Sequence, residues 1–410
     1  MHLLLVGLSH AEADVRLREL AAVGTTGTAV ALRLLQHQRA VGSAFVLATC
    51  NRTELYATSS HLRAGRRALH EVLSALHPSG YPVYRCALYE KSDDAAAEHL
   101  FRVAAGVESA VVGESQIVAQ LRFALQQARR SLPADALLAG TTERAIAAGR
   151  RVRREVPIAQ RRLSIGTATV DFIRQALGSV NGRKVVVLGA GQVADLCLRA
   201  LVRGGAIVTV AARKESRAEA LASRFGAEAV GVERLADAIA YADVVVGAAS
   251  ADHPILRRDM FGRRSQLVLD LALPRSAEAA LDRVPGIRVA DLDDVARAAR
   301  RSPEAEGRLL ESAGRVLADE LRAWRDWRRS LAAGPGLQVI ADYAEQVRQA
   351  EVERALRGLA EQERDAAERI DRLSRSLVSK LLLHPIAYLR THPEDEAAVE
   401  LVERLFRAGA

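Results

Sequence analysis

The sequence predicts a multi-domain α/β protein with an all-helical C-terminal part, and three observations carry that prediction. The chain has 410 residues, a length that suits two or three domains. Up to about residue 298, apolar runs of strand length alternate with stretches of helical length and period, the pattern of α/β architecture. Beyond that point the strand-like runs stop and long, charge-laced helical patterns take over.

Composition bounds the class. Hydrophobic residues make up 49% of the chain, ample for a packed core. With 7 Phe, 7 Tyr and 2 Trp, aliphatic side chains must do most of the packing. No apolar run approaches the roughly 18 residues of a membrane span. The start, MHLLLVGLSH, lacks a basic region and turns polar too early for a signal peptide. Three cysteines, Cys50, Cys86 and Cys197, cannot build a disulfide framework. The expectation is a cytoplasmic protein. The net charge of +8 permits an anionic partner, nucleic acid or a phosphorylated cofactor. However, 54 of the 58 basic residues are arginines, which points as much to compositional bias as to an acidic ligand.

In the first segment, His2–Gly7 and Ala44–Thr49 read as strands, being continuous apolar runs that end in polar residues. Thr26–Gln38, His61–Leu76 and Gln116–Ser131 carry charge on one side and Leu or Val on the other, as helices do. This mixture fits an α/β or α+β domain. The basic run Arg150–Arg162 contains Pro157, which argues against one uninterrupted helix, and the first domain is taken as 1–157.

In the second segment, 158–298, Lys184–Leu188 is a buried strand leading directly into Gly189-Ala190-Gly191-Gln192-Val193-Ala194 and a helical pattern. Ile207–Ala211, Asp243–Gly247, Gln266–Leu271 and Ile287–Ala290 are further strands. Buried strands separated by helical lengths indicate a Rossmann-type, doubly wound parallel sheet.

The third segment, 299–410, begins with Ser302-Pro303, a helix cap followed by proline at the first helical position. Leu310, Leu317, Leu321 and Trp324 share one helical face. Gly334-Pro335-Gly336 is expected to break that helix. A second pattern then carries Val339, Ile340, Tyr343, Val347, Leu356 and Leu359. Stripes this narrow call for a partner helix, so the segment reads as an association domain.

Two motifs carry chemistry. A lone G-x-G-x-x-G is weak evidence, but residues 189–194 have a strand before, a helix after and a second strand some twenty residues on. Gly189 permits the tight turn, Gly191 lets backbone approach a pyrophosphate, and Ala194 fills the third position. The helix N-terminus that follows favours phosphate. Where an NAD site has a carboxylate on the ribose, this chain has Ala211-Ala212-Arg213-Lys214, with Arg217 a turn later. A guanidinium fork there grips a 2′-phosphate, so Arg213 and Arg217 point to NADP; Arg213 as one more surface arginine is the plain alternative.

The second motif is Cys50, where an apolar strand meets Asn51-Arg52-Thr53-Glu54. Free cysteine is usually a small buried hydrophobe, but a strand end beside Arg52 favours a thiolate. Cys86 and Cys197 lack such surroundings and read as structural. Thr49–Tyr56, TCNRTELY, resembles the signature of the glutamyl-tRNA reductases. Further family-like segments follow in order: Gly7–His10, His99–Ala104, Ser109 with Val112–Ile117, Leu163–Thr167, Leu188–Gly191, Asp270–Arg275 and Leu382–Pro385. Two places depart from the family pattern. Ala11-Glu12-Ala13-Asp14 stands for Arg-Thr-Ala-Pro, and Ser115 takes the proline position of Gly-Glu-Pro-Gln.

The resemblance implies a catalytic domain, an NADP domain and a helical dimerisation domain joined by a long helix. It implies NADPH-dependent reduction of glutamyl-tRNA(Glu) to glutamate-1-semialdehyde through a thioester on Cys50, the first step of five-carbon tetrapyrrole synthesis. Thr49, Asn51, Arg52, Ser109, Glu114, Ser115, Gln116 and Gln120 would line the glutamyl pocket, with Arg52 on the substrate carboxylate and Glu114 on its ammonium. His99 would polarise the carbonyl or shuttle a proton, unless it is a hydrogen-bonded structural histidine. A homodimer is implied, with glutamate-1-semialdehyde aminomutase as a docking partner for the product. His2, His10 and His99 lack metal-site spacing. The competing readings are a shikimate-dehydrogenase-like enzyme, which needs no cysteine, a tRNA-binding regulator without turnover, and an aldehyde dehydrogenase running in reverse.

Overall fold

The computed structural model describes residues 1–113, 116–131, 135–156, 164–249, 251, 253–262, 264–298, 303–356, 364–392 and 395–407. The chain divides into two units, Met1–Leu321 and Arg322–Ala410.

The first unit opens with β1 (His2–Ser9), α1 (Val15–Leu20), α2 (Thr25–Gln36), β2 (Ala44–Ala48), β3 (Arg52–Ser59), α3 (Leu62–Leu76), α4 (Tyr81–Tyr84), β4 (Tyr89–Ser92), α5 (Asp93–Ala105), α6 (Gln116–Ala128) and α7 (Ala136–Glu155). Its four strands form a sheet in the order β2-β3-β1-β4, every pair antiparallel. Antiparallel pairing resolves the first domain to the α+β type. Ala48 pairs with Thr53, so β2 and β3 make a tight hairpin with Thr49-Cys50-Asn51 at its tip.

The parallel half follows: α8 (Ile165–Leu177), β5 (Lys184–Leu188), α9 (Gln192–Arg203), β6 (Ile207–Ala212), α10 (Glu215–Ala222), β7 (Glu228–Gly231), α11 (Leu235–Ala240), β8 (Val244–Gly247), β9 (Gln266–Asp270), β10 (Ile287–Asp291) and α12 (Leu292–Ala298). The strand order is β10-β9-β8-β5-β6-β7, all parallel. Val185, Val187, Val244 and Val246 feed one core layer, while Val186, Leu188, Val245 and Val268 feed the other. Burial on both faces is why these strands are continuous apolar runs. Strand order reverses between β5 and β8, and the crevice at that reversal is where such sheets bind ligands.

The expected strands and helices of these two domains lie within three residues of the observed ones. The expected boundary at Pro157 falls outside the described residues, and α7 takes up the basic run as far as Glu155.

Past α12 come α13 (Pro303–Leu356), α14 (Arg364–Thr391) and α15 (Glu396–Arg407). The expected start at Pro303 holds, with Ser302 outside the described residues. The expected break does not: α13 runs unbroken through residues 334–336. Proline removes one helical hydrogen bond and kinks or ends a helix, a penalty of about 3 kcal/mol that propensity alone cannot enforce where turns on both sides are helical. Leu317, Leu321 and Trp324 are buried with Ala313, and Leu310 is half-buried. Near the end of the first unit, Arg151 of α7 donates to Glu320 at 2.8 Å. In the second unit Arg348 pairs with Asp371 at 2.6 Å, tying α13 to α14. The side chains of Val339, Ile340, Tyr343 and Leu356, and Leu359 altogether, lie outside what is described. Among the described residues no helix is long and apolar enough to cross a membrane.

Candidate active site

Cys50 is half-buried at the hairpin tip, and the tip is held from several sides. Thr49 Oγ1 accepts the backbone N–H groups of Asn51 at 3.1 Å and Arg52 at 3.2 Å. The Thr49 N–H donates to the Arg52 carbonyl, and the His10 N–H donates to the Asn51 carbonyl, each at 2.9 Å. Arg18 Nε donates to the carbonyl of Cys50 itself at 3.3 Å. A short loop with its carbonyls committed in this way holds its side chain on rigid strands.

Behind the loop stands a buried polar cluster centred on Glu54. Its Oε1 accepts from Arg52 Nη1 at 2.5 Å, Tyr89 at 2.6 Å and His99 Nε2 at 2.9 Å, and its Oε2 accepts from Tyr56 at 2.8 Å. Burial alone would push the Glu54 carboxyl up, but the charges of Arg52 and His99 outweigh it and hold the group well below the ordinary carboxylate range. Burial and the same carboxylate push the Tyr89 hydroxyl far above its usual value. Arg52 also donates to the Glu108 carbonyl, beside Ser109. The Arg52 guanidinium thus meets the cleft with its charge already balanced by Glu54, while its fork retains further N–H donors.

The cleft has a volume of about 940 Å³, and residues of both sheets line it. Thr49, Cys50, Asn51, Arg52, Ser109, Gln116 and Gln120 contribute from the first domain, and Gln192, Val193 and Arg213 from the second. Gln116 and Gln120 are one turn apart on α6 and share a face. Asn51 Oδ1 is buried and has no hydrogen-bond partner among the described residues, a costly state for an acceptor. Glu114 and Ser115 lie outside the described residues. His99 does not line the cleft; it sits one layer behind, on Glu54.

On the second domain Gly189 has φ +123°, and a Cβ there would meet the Ala248 carbonyl oxygen at 2.8 Å, so only glycine makes this turn. Gly191 caps α9 with open space where a side chain would be. Ala190 packs on the core beside the buried Ala194. The first turn of α9 leaves N–H groups for an anion. Arg213, exposed at the carboxyl end of β6, lines the cleft. Arg217 is exposed on α10 and lies outside the cleft lining. Glycines for backbone approach, a free helix end and a cationic fork together fit a phosphorylated dinucleotide.

Cys197 is fully buried, and desolvation pushes its thiol up to about 12. Cys86 is exposed on a short turn, its Sγ 3.6 Å from the Val83 carbonyl. Among the described residues no group of three or more His, Cys, Asp or Glu is placed to hold a metal ion.

Sequence reasoning missed several residues that build this site. Arg18 and Glu19 of α1 reach across to Asp293 and Arg275 of the second domain. Asp270 accepts from Ser276 Oγ at 2.8 Å and from the N–H of Ala277 at 2.8 Å, which folds the cleft-lining loop Leu271–Pro274. The motif Asp270–Arg275 marked this loop without giving its function. Nothing local marked Arg18, whose partner is 275 residues away.

A doubly wound parallel sheet with a glycine turn, and a strand-tip cysteine opening on the same cleft, fit a nucleotide-dependent oxidoreductase. Residues 6–156 match the N-terminal domain of glutamyl-tRNA(Glu) reductase, 171–298 match shikimate/quinate 5-dehydrogenase, and 312–408 match the glutamyl-tRNA(Glu) reductase dimerisation domain. Glutamyl-tRNA reductase of Chloroflexus aurantiacus is 33% identical, covering 99% of each chain. That of Moorella thermoacetica is 32% identical over 99% of this chain and 95% of its own. The solved glutamyl-tRNA reductase of Methanopyrus kandleri is 28% identical, with TM-score 0.52, covering 100% of this chain and 99% of that one. The chain belongs to the glutamyl-tRNA reductase family, NADPH-dependent oxidoreductases of tetrapyrrole synthesis. The shikimate-dehydrogenase reading accounts for the middle segment alone.

Proposed function

We propose that this protein reduces glutamyl-tRNA(Glu) to glutamate-1-semialdehyde through a thioester on Cys50, as a cytoplasmic homodimer. The observation that carries the reading is the single cleft shared by Cys50, Asn51 and Arg52 with Gln192, Val193 and Arg213. The Cys50 thiolate attacks the ester carbonyl, the S–C bond forms, and the tRNA ribose hydroxyl leaves with a proton. A thioester carbonyl is less resonance-stabilised than an ester and accepts hydride more readily. When bound, NADPH supplies that hydride. Collapse of the Cys50 thiohemiacetal then returns the thiolate and frees the aldehyde.

The roles of the lining residues follow from their chemistry. The Arg52 fork faces the substrate carboxylate. Glu114 meets the substrate ammonium, and the buried Asn51 Oδ1 is a second acceptor for it. Ser109, Gln116, Gln120 and Thr49 complete the pocket, with Glu114 and Ser115 between them in sequence. His99 is a positioning residue that acts through Glu54 and Arg52. Gly189–Ala194 cradle the cofactor pyrophosphate, and Arg213, supported by Arg217, binds its 2′-phosphate. The domains are 1–157, 158–298 and 299–410, and the product passes to a docked glutamate-1-semialdehyde aminomutase.

With glutamyl-tRNA and no NADPH, mass spectrometry should find one hydroxylamine-sensitive glutamyl adduct on Cys50. Adding NADPH should discharge it to the semialdehyde. Cys50→Ser should show neither step, while Cys86→Ser and Cys197→Ser should retain both. An adduct on another residue, or full activity in Cys50→Ser, overturns the proposal.

A further inference from the structure

The interface between the two sheets of the first unit is polar at its most specific contacts. Arg18, almost fully buried, donates to Asp293 from Nη2 at 2.7 Å and from Nη1 at 3.1 Å. The same side chain donates to the Ala13 carbonyl at 2.8 Å and to the Cys50 carbonyl at 3.3 Å. One residue on, Glu19 accepts from the Arg275 backbone N–H at 2.6 Å and from its Nε at 2.8 Å. Both pairs issue from α1, a six-residue helix capped by Asp14, whose carboxylate accepts from the Leu17 N–H. Asp14 stands where the family pattern has proline.

On the far side, Asp293 follows Leu292 and Arg275 follows Pro274, and Leu292 and Pro274 both line the cleft. Among the described residues, one apolar cluster joining the domains holds Ala110, Val111 and Ala296, and Cys50 packs against the core of the nucleotide domain. Domains whose specific contacts are charged pairs move relative to one another by default, unless their interface is large and hydrophobic.

We propose that Arg18–Asp293 and Glu19–Arg275 form a latch that closes the nucleotide domain over Cys50 and, through the Cys50 carbonyl, sets the position of the acyl group for reduction. The proposal rests on the thioester reading above. Arg18, Glu19, Asp293 and Arg275 are positioning residues. Their action is on the reductive step, because acylation needs the first domain alone, whereas reduction needs both domains around one cleft. A cleft that closes badly also admits water. Water attacks the thioester carbonyl, the thiolate leaves, and glutamate is released in place of the semialdehyde.

The experiment uses the full chain with Asp293→Ala and Glu19→Gln combined, and Asp293→Asn as the mild variant. Acylation by glutamyl-tRNA without NADPH should stay within about twofold of the parent. With NADPH, the ratio of glutamate to semialdehyde should rise about tenfold or more, the scale expected for a small misplacement of reacting groups. Asp293→Asn should fall between. A merely destabilising change lowers both products together and leaves their ratio fixed. Small-angle scattering, which needs no turnover, should show a larger radius of gyration for the double variant. An unchanged product ratio overturns the latch whatever the scattering shows. If the parent itself forms no thioester, the reaction reading has failed, and scattering alone decides the latch, with an unchanged radius overturning it.

Discussion

Glu54 is the residue on which the first domain's polar core depends. Four side chains donate to it, and each is oriented by that bond. Glu54→Gln keeps the shape but leaves Arg52 buried without its counter-charge, which should cost about 3–5 kcal/mol. The pH dependence has a definite sign. The folded carboxyl lies well below its ordinary value because Arg52 and His99 overcome the burial that would raise it. Its contribution is therefore complete above the unfolded value of about 4.3 and is lost as pH falls through the folded one. Denaturant unfolding of parent and variant should show a constant gap from neutral pH down to about pH 5, narrowing below about pH 4.3. Parallel curves would refute the assignment. Cys50 and Arg52 were legible because their signature is contiguous. The cluster behind them was not, since Tyr89 and His99 lie 35 and 45 residues from Glu54 and no local pattern joins them.

At the scale of elements, the β5–turn–α9 unit was readable because strand, glycine turn and helix follow one another within about twenty residues. The strands that escaped are instructive. β3 is buried throughout, yet it carries Arg52, Thr53, Glu54, Thr58 and Ser59, polar groups that satisfy one another only once the fold exists. β4 and β7 are four-residue edge strands containing charge or glycine, below any periodicity test. The carboxyl end of β6 carries the most direct functional consequence. Arg213 lines the cleft there, where a carboxylate would select NAD. Arg213→Asp should remove a charge-assisted contact of about 1.5–3 kcal/mol and weaken NADPH binding about 10- to 100-fold, leaving NADH little affected. Fluorescence titration with both cofactors checks this, and equal losses would show that Arg213 does not read the 2′-phosphate.

For the whole molecule, the second unit leaves unusual apolar surface on a single chain. Leu373, Leu377 and Leu381 recur every fourth residue along α14 and are 63%, 53% and 74% exposed; Leu401 and Leu405 repeat the spacing on α15. A continuous stripe of this kind marks an interaction surface rather than scattered exposure. It agrees with the dimerisation-domain match over 312–408. In a two-fold interface each substitution counts twice. Burying a leucine stabilises by about 1.5–3 kcal/mol, so Leu377→Glu with Leu381→Glu should weaken dimerisation by more than about a thousandfold. Because both positions are exposed on the single chain, folding of the monomer should change by no more than about 0.5 kcal/mol. NADPH affinity should also be retained, since among the described residues none beyond α12 lines the cleft. Light scattering at micromolar concentration should find the parent at twice the 44.2 kDa chain mass and the variant at that mass. A monomeric parent, or a variant that still dimerises, would remove this stripe from the interface.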